Sequence, residues 1–167
     1  MRLLKTIRLD ATDTRVFETA AASGEWAVPG GFAFAGDDPA TLTGKRRQAF
    51  RSGFLGLESF GWSTFTVVAT IDPATCDSLI ERLARHLVER YGAPDPATAR
   101  PAAAEELAFA AELASHPPGT LVAVERELDA AGHVRERFRT VRRPEGRDGP
   151  AHGRVWELSE EPSEERS

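Results

Sequence analysis

If this chain carries chemistry, the residues best suited to it lie between Arg51 and Phe65, in the stretch RSGFLGLESFGWSTF. Glu58 stands there among Phe54, Leu55, Leu57, Phe60 and Trp62. A carboxyl group held among apolar side chains has its pKa raised and can act as a general acid or base. In that reading Arg51 holds an anion, Glu58 moves protons, and Trp62 or Trp26 stacks on the ligand. The opposing reading has Glu58 pointing outward or pairing with an arginine. No catalytic residue is assigned on this basis. Arg51, Glu58, Ser59, Phe60 and Trp62 form the candidate binding or surface site.

The other chemistry-bearing residues point to structure. His86, His116, His133 and His152 show no i, i+4 spacing and no carboxylate–histidine pattern, so neither a metal nor a cofactor is expected. His86 is placed on the exposed side of a helix. Cys76 lies on the apolar stripe of that helix and reads as core, because burial opposes formation of a thiolate. No Gly-x-Ser-x-Gly elbow occurs. The glycines of PGGFAFAG and SGFLGLESFG are not followed by the helix that a phosphate loop needs. Lys45, Arg46 and Arg47 read as a solvated helix end in preference to an anion site, and with Arg51 they form the one local basic stripe that nucleic acid could use.

The elements that would position these residues follow from periodicity and turn chemistry. LLKTIRL (3–9) alternates as a strand. Val16 and Phe17 could close a short strand, and Gly24 marks a turn. EWAVPGGFAFAG reads as strand, turn, strand, or as one bent strand. A helix spans about 38–52, with Asp38 as cap, Pro39 at its first position, cations toward its C-terminal half and Gly53 as a left-handed C-cap. WSTFTVVATI (62–71) is the strongest strand. The strongest helix is 73–91, from Asp72-Pro73 to Gly92, with Cys76, Leu79, Ile80, Leu83, Leu87 and Tyr91 on one face. A third helix runs over 96/101–115, its firm part starting at Pro101.

TLVAVERELDAAGHVRERFRTV predicts a hairpin whose paired residues sum to 262. Val124 then meets Phe138, Val122 meets Thr140 and Leu128 meets Val134, with Glu125 opposite Arg137 and Glu127 opposite Arg135. Arg126 faces Glu136 near the rim. A one-residue slip loses all of these pairs. If the Arg135, Arg137 and Arg139 face stays open, the edge can pair with another chain, so a dimer is one expectation. The fold class is α+β: one domain over 1–143, a mainly antiparallel sheet of about five or six strands and three helices. A polar Pro/Gly connection follows at 144–153, then a last strand at 154–159 and a disordered acidic tail at 160–167.

The chain has 167 residues and a net charge of −5. Five Glu and one Arg fall between Glu157 and Ser167, so the remainder carries only about −1. Arg outnumbers Lys 19 to 2 and Asn is absent, which looks like a GC-rich bacterial coding bias. Nucleic acid is not expected as a partner. No apolar run spans a membrane, and MRLLKTIRLD lacks the apolar centre of a signal peptide, so a cytoplasmic location is expected.

GFLGLESFGWST, with EWAVPGGFAFAG upstream and HPPGTLVAVER downstream, resembles a family of small proteobacterial proteins known only as a domain of unknown function. The resemblance covers about residues 1–143. It implies a free-standing bacterial protein and carries no activity, cofactor or catalytic residue. The sequence therefore suggests a non-catalytic accessory or protein-interaction module that presents the aromatic stretch. The alternative is an enzyme or small-ligand binder with a pocket between residues 51–64 and 26–34.

Overall fold

The computed structural model describes residues 1–142, 157–160 and 164–165, the last two segments as backbone only. The connection expected at 144–153 lies outside the described residues, as do 154–156, 161–163 and 166–167. In chain order the elements are β1 (Arg2–Ile7), α1 (Asp13–Val16), β2 (Trp26–Val28), α2 (Gly44–Ser52), β3 (Phe54–Gly56), β4 (Trp62–Ser63) and β5 (Phe65–Thr70). Then come α3 (Pro73–Tyr91), α4 (Pro96–Leu113), β6 (Leu121–Leu128), β7 (Val134–Arg142), β8 (Glu157–Glu160) and β9 (Glu164–Glu165). Two 3-10 turns, Gly31–Phe34 and Pro39–Thr41, lie between β2 and α2. The α+β class holds, and every strand pairing is antiparallel.

Seven strands run in the order β4-β3-β2-β1-β5-β6-β7, one more than the upper expected number, and β8 and β9 add to the outer edge of β7. The strand expected over 62–71 is two strands. Asp13, 6% exposed, accepts from the Thr64 N–H at 3.2 Å and its hydroxyl at 2.6 Å. That removes Thr64 from the ladder. The chain bends there, so β4 pairs with β3 while β5 pairs with β1, and the sheet curls. Leu3 and Leu4 are consecutive and both fully buried. Successive strand residues face opposite sides, so both faces of β1 are covered.

The Asp-Pro helix starts hold. Asp72 accepts from the Thr75 N–H at 2.9 Å and Asp95 from that of Thr98 at 2.7 Å. These bonds hold both carboxyls below the usual aspartate range. With that cap α4 starts at Pro96 and runs through Pro101, rather than starting there. Tyr91, expected on the apolar face of α3, is 43% exposed and meets Phe32 and His86 edge-on at the last turn of the helix.

The helix expected over 38–52 is broken. Asp38 caps only the turn Pro39–Thr41, Leu42 and Thr43 are extended, and α2 begins at Gly44. Lys45, Arg46 and Arg47 therefore sit in its first turn, not its C-terminal half. Gly53 is not left-handed: its φ is −93°. It is glycine because a Cβ would lie 2.7 Å from both the Ala49 carbonyl oxygen and Trp62 Cε3. Val16 ends a short fourth helix, not a strand. FAF belongs to a 3-10 turn entered through Gly30 at φ +76°. The tail expected to be unstructured from 160 onward contributes Glu160, Glu164 and Glu165 to strands on β7, where backbone groups of an edge strand stand open to pairing.

The β6–β7 register matches the expectation at all the proposed pairs. Arg126 and Glu136, placed near the rim, are instead 1% and 2% exposed. Arg126 Nε donates to Glu136 at 2.7 Å. Its Nη1 donates to the carbonyls of Phe50 (2.9 Å) and Gly53 (3.1 Å), and Nη2 to that of Pro29 (2.5 Å). Four of its five N–H groups are thus satisfied. The residue lies on the same face of β6 as Val122 and Val124, which belong to the main apolar core. It reaches into a second cluster built on Phe17, Ala33, Phe34, Ala49 and Phe50. Arg126→Met should destabilise the fold by about 3–5 kcal/mol, as for a buried charge left alone. The Arg126→Met/Glu136→Met double variant should recover only part of this in urea unfolding, because three carbonyls stay without a donor. Full recovery would show that the carbonyl bonds contribute nothing.

Candidate functional site

The aromatic stretch folds as a tight hairpin, β3–β4, at one edge of the sheet. Gly56 N–H donates to the Gly61 carbonyl at 2.9 Å and Phe60 N–H to that of Gly56 at 3.1 Å. The residue that holds this turn is Glu25, 3% exposed. One of its oxygens accepts from the N–H of Glu58 (3.0 Å) and of Ser59 (2.6 Å). The other accepts from the Ala22 N–H (2.6 Å) and the Ser59 hydroxyl (2.8 Å). Four donors thus converge on its two oxygens, and all of them are used in holding the turn. Gly56 makes room for it, since a Cβ there would lie 2.7 Å from Glu25 Oε1. A Cβ on Gly61 would lie 2.8 Å from the Ala21 nitrogen, where Ala20 bridges to Trp62.

The five candidate residues do not form one site. Glu58 is exposed. Ser59 is tied to Glu25. Phe60 adopts a left-handed φ of +54°, uncommon for a large side chain. Its ring stacks on His86 at 3.6 Å between centroids, which also leaves His86 half-buried rather than exposed. Trp62 is tilted against Phe34 at 5.1 Å. Phe54, Leu55 and Leu57 are core, so of the expected apolar patch only Phe60 and Trp62 remain half-buried. Gly30 packs directly against this segment: a Cβ on it would lie 2.6 Å from Leu55 Cβ and 3.2 Å from Trp62 Cζ3.

Arg51 opens onto a different space. A cleft of about 450 Å³ lies between the Pro39–Thr43 segment, α2 and the end of β6. Leu42, Phe50 and Leu128 supply its apolar wall, and Arg47, Arg51 and Glu127 its charges. Arg47 and Arg51 are one helical turn apart, so their side chains leave the same face of α2. Both are exposed, and neither enters an ion pair among the described residues. Arg46, by contrast, is paired with Asp37 at 2.5 Å, and this bond raises its pKa. Arg126 closes the inner end of the cleft and is occupied by its own bonds. The cleft can therefore hold an anionic group against an apolar floor. Nothing in it shows the paired acid and base of a catalytic site.

Sequence reasoning found Arg51, gave Arg47 only the lesser weight of an anion site, and missed Glu25 and Arg126 as partners in the geometry. Arg47 was hidden by the expected continuous helix, which put it among end-of-helix cations. Glu25 gave no signal, because three of its four donors, on Glu58 and Ser59, lie more than thirty positions away. Among the described residues no His, Cys, Asp and Glu side chains gather as a metal site, and no helix is long and apolar enough to cross a membrane. Burial pushes the Cys76 thiol pKa up.

Residues 1–152 match the model of a family of unknown function, DUF6505. No curated protein and no solved structure matches the chain.

Two expected outcomes follow from these assignments. Glu25→Gln replaces an acceptor by a donor facing N–H groups and should cost about 1–3 kcal/mol in chemical unfolding. Glu58→Gln should stay within about 0.5 kcal/mol of the native protein, as at an ordinary surface position; equal losses would make the hairpin turn the wrong origin. The second concerns pH. Burial, then the neighbouring Arg90, lowers the pKa of His86. A histidine depressed in the folded state favours folding above its unfolded pKa and loses that contribution as pH falls through the folded value. The melting temperature of the native protein should thus fall more between pH 7 and pH 5 than that of His86→Phe. Parallel curves would remove the assignment.

Proposed function

The chain belongs to the family of unknown function DUF6505, and we propose that it is a non-catalytic binding module that holds an anionic ligand in the α2–β6 cleft. One observation carries this reading. Arg47 and Arg51, which enter no ion pair among the described residues, stand one turn apart at the mouth of a cleft of about 450 Å³ that Leu42, Phe50 and Leu128 line on its apolar side. Guanidinium groups presented in pairs favour carboxylate and phosphate, which accept two parallel hydrogen bonds. The interior carboxylates are tied up elsewhere: Glu25 by four donors, Asp13 by Thr64, and Glu136 by Arg126. This supports binding over acid–base catalysis. The arginine-for-lysine bias supports a bacterial origin, and we read the module as a cytoplasmic accessory protein.

The test uses citrate, a compact polyanion, titrated while the arginine side-chain N–H resonances are followed by NMR. Arg47 and Arg51 should shift together. The Arg47→Gln/Arg51→Gln variant should bind at least about tenfold more weakly, a loss of about 1.4 kcal/mol, with the melting temperature unchanged. Binding should also weaken as salt rises. Phe60→Ala lies outside the cleft and should bind as the native protein does. An affinity untouched by the double arginine change would overturn the reading.

A further inference from the structure

We propose that the outer edge of β7 is a docking site for an acidic extended strand, and that this chain's own C-terminal segment is its removable occupant. β8 and β9 both pair on that edge, antiparallel to β7. Both lie after residue 152, where the family match ends. Among the described residues within the match, β7 is the last strand of the sheet. The edge thus belongs to the part shared with the family, and the strands that cover it to the part beyond. The site is separate from the α2–β6 cleft, and neither depends on the other.

The backbone supplies the affinity of such a site. Asp129 N–H donates to the His133 carbonyl at 2.9 Å, and β6 and β7 pair without a break from there to Leu121. Bonds in an antiparallel ladder alternate along a strand. Odd-numbered residues of β7 therefore bond to β6, and Glu136, Phe138, Thr140 and Arg142 direct their N–H and C=O groups to the outer edge. An added strand takes its main-chain bonds from these groups. Charge selects the occupant. Arg135, Arg137 and Arg139 share the face of β7 turned away from the core. β6 sets Glu127 and Glu125 opposite the first two, but Ala123 opposite Arg139. On the outer side the register sets Glu160 opposite Arg139, Glu165 opposite Arg135 and Glu157 opposite Arg142. One pair runs the other way: Glu164 stands opposite Glu136, whose charge Arg126 already meets. Opposite charges in facing positions stabilise a sheet and like charges oppose it. A second β7 laid antiparallel about Phe138 would face Arg137 with Arg139, so a copy of this edge is a poor occupant and an acidic strand a good one.

The test uses the full chain, native and as the Glu157→Lys/Glu160→Lys/Glu164→Lys/Glu165→Lys variant, with a capped peptide of residues 154–167 as probe. The charge reversal should free the edge, so the amides of Glu136, Phe138 and Thr140 should exchange at least about tenfold faster than in the native protein. The amide of Val122, in the middle of the sheet, should exchange alike in both. The added peptide should bind the variant and restore the protection. It should bind the native protein at least about tenfold more weakly, because the site is already filled. Arg135→Glu/Arg139→Glu in the otherwise native chain should also speed exchange at the edge, yet leave the peptide unbound. Equal exchange in native protein and variant, or equal binding of the peptide to both, would show that the C-terminal segment is not the occupant. A peptide that binds neither protein would remove the docking site. A variant that sediments as a larger species than the native protein would show that the edge takes a second copy, and the acidic-strand class would fall.

Discussion

The fold depends on one buried guanidinium. Arg126 comes from the middle of the sheet and donates to Glu136 on the next strand, to Phe50 and Gly53 at the end of α2, and to Pro29 after β2. The last carbonyls of a helix have no partner within it and carry its partial negative charge. Here a cation meets them from another element, in a site closed to water. A buried charge of this kind stabilises only when every contact is in place, because the loss of hydration is large. That requirement makes the arrangement specific. α2 must end where its carbonyls reach Arg126, and the chain must turn at once into β3. Gly53 allows this by leaving room for Trp62.

Carboxylates do the same for irregular backbone. The β3–β4 turn and the bend at Thr64 both leave N–H groups without a ladder partner. Glu25 supplies an acceptor for the first and Asp13 for the second. An unpaired buried N–H costs about 1–3 kcal/mol, so neither feature would persist without its side chain. The curl of the sheet follows from the Asp13 contact, and with it the short β5–β6 ladder, which ends at Ala123. The interior acids are thus accounted for by shape, while among the described residues Arg47 and Arg51 enter no ion pair.

The sequence was most legible where several signals agreed. In the β6–β7 hairpin, apolar residues matched apolar ones and acids matched arginines in a single register, and Gly132 fell in the loop with φ +82°. Asp-Pro before a long amphipathic run gave both main helices. Even there the pairing went further than the pattern: Glu125 faces Arg137 but bonds diagonally to Arg139 at 3.2 Å. Legibility failed where one residue served a distant partner. A charged residue is exposed by default, so Arg126 read as a rim position, and nothing near Glu25 announces the turn it holds. Leu42 and Gly44 broke an otherwise consistent helix. The candidate site was legible only in part, since Arg51 belongs to the cleft while Glu58, Ser59, Phe60 and Trp62 belong to the hairpin.

An arginine-rich chain invites the view that any arginine could bind an anion. The structure separates them by what each already does. Arg46 is held by Asp37, Arg100 by Glu81, Arg135 by Asp129, Arg139 by Glu125 and Arg126 by the core. Other exposed arginines, such as Arg82 and Arg85 on α3, border only a shallow hollow beside Phe60 and His86. Arg47 and Arg51 differ in their foundation. Their helix is fixed at its C-terminal end by Arg126, and the same residue closes the inner end of the cleft beneath them. Two charges and an apolar wall are therefore held in fixed relation before any ligand arrives. Preorganisation of that kind lowers the ordering cost of association, and it is the physical reason to place binding here rather than on the aromatic hairpin.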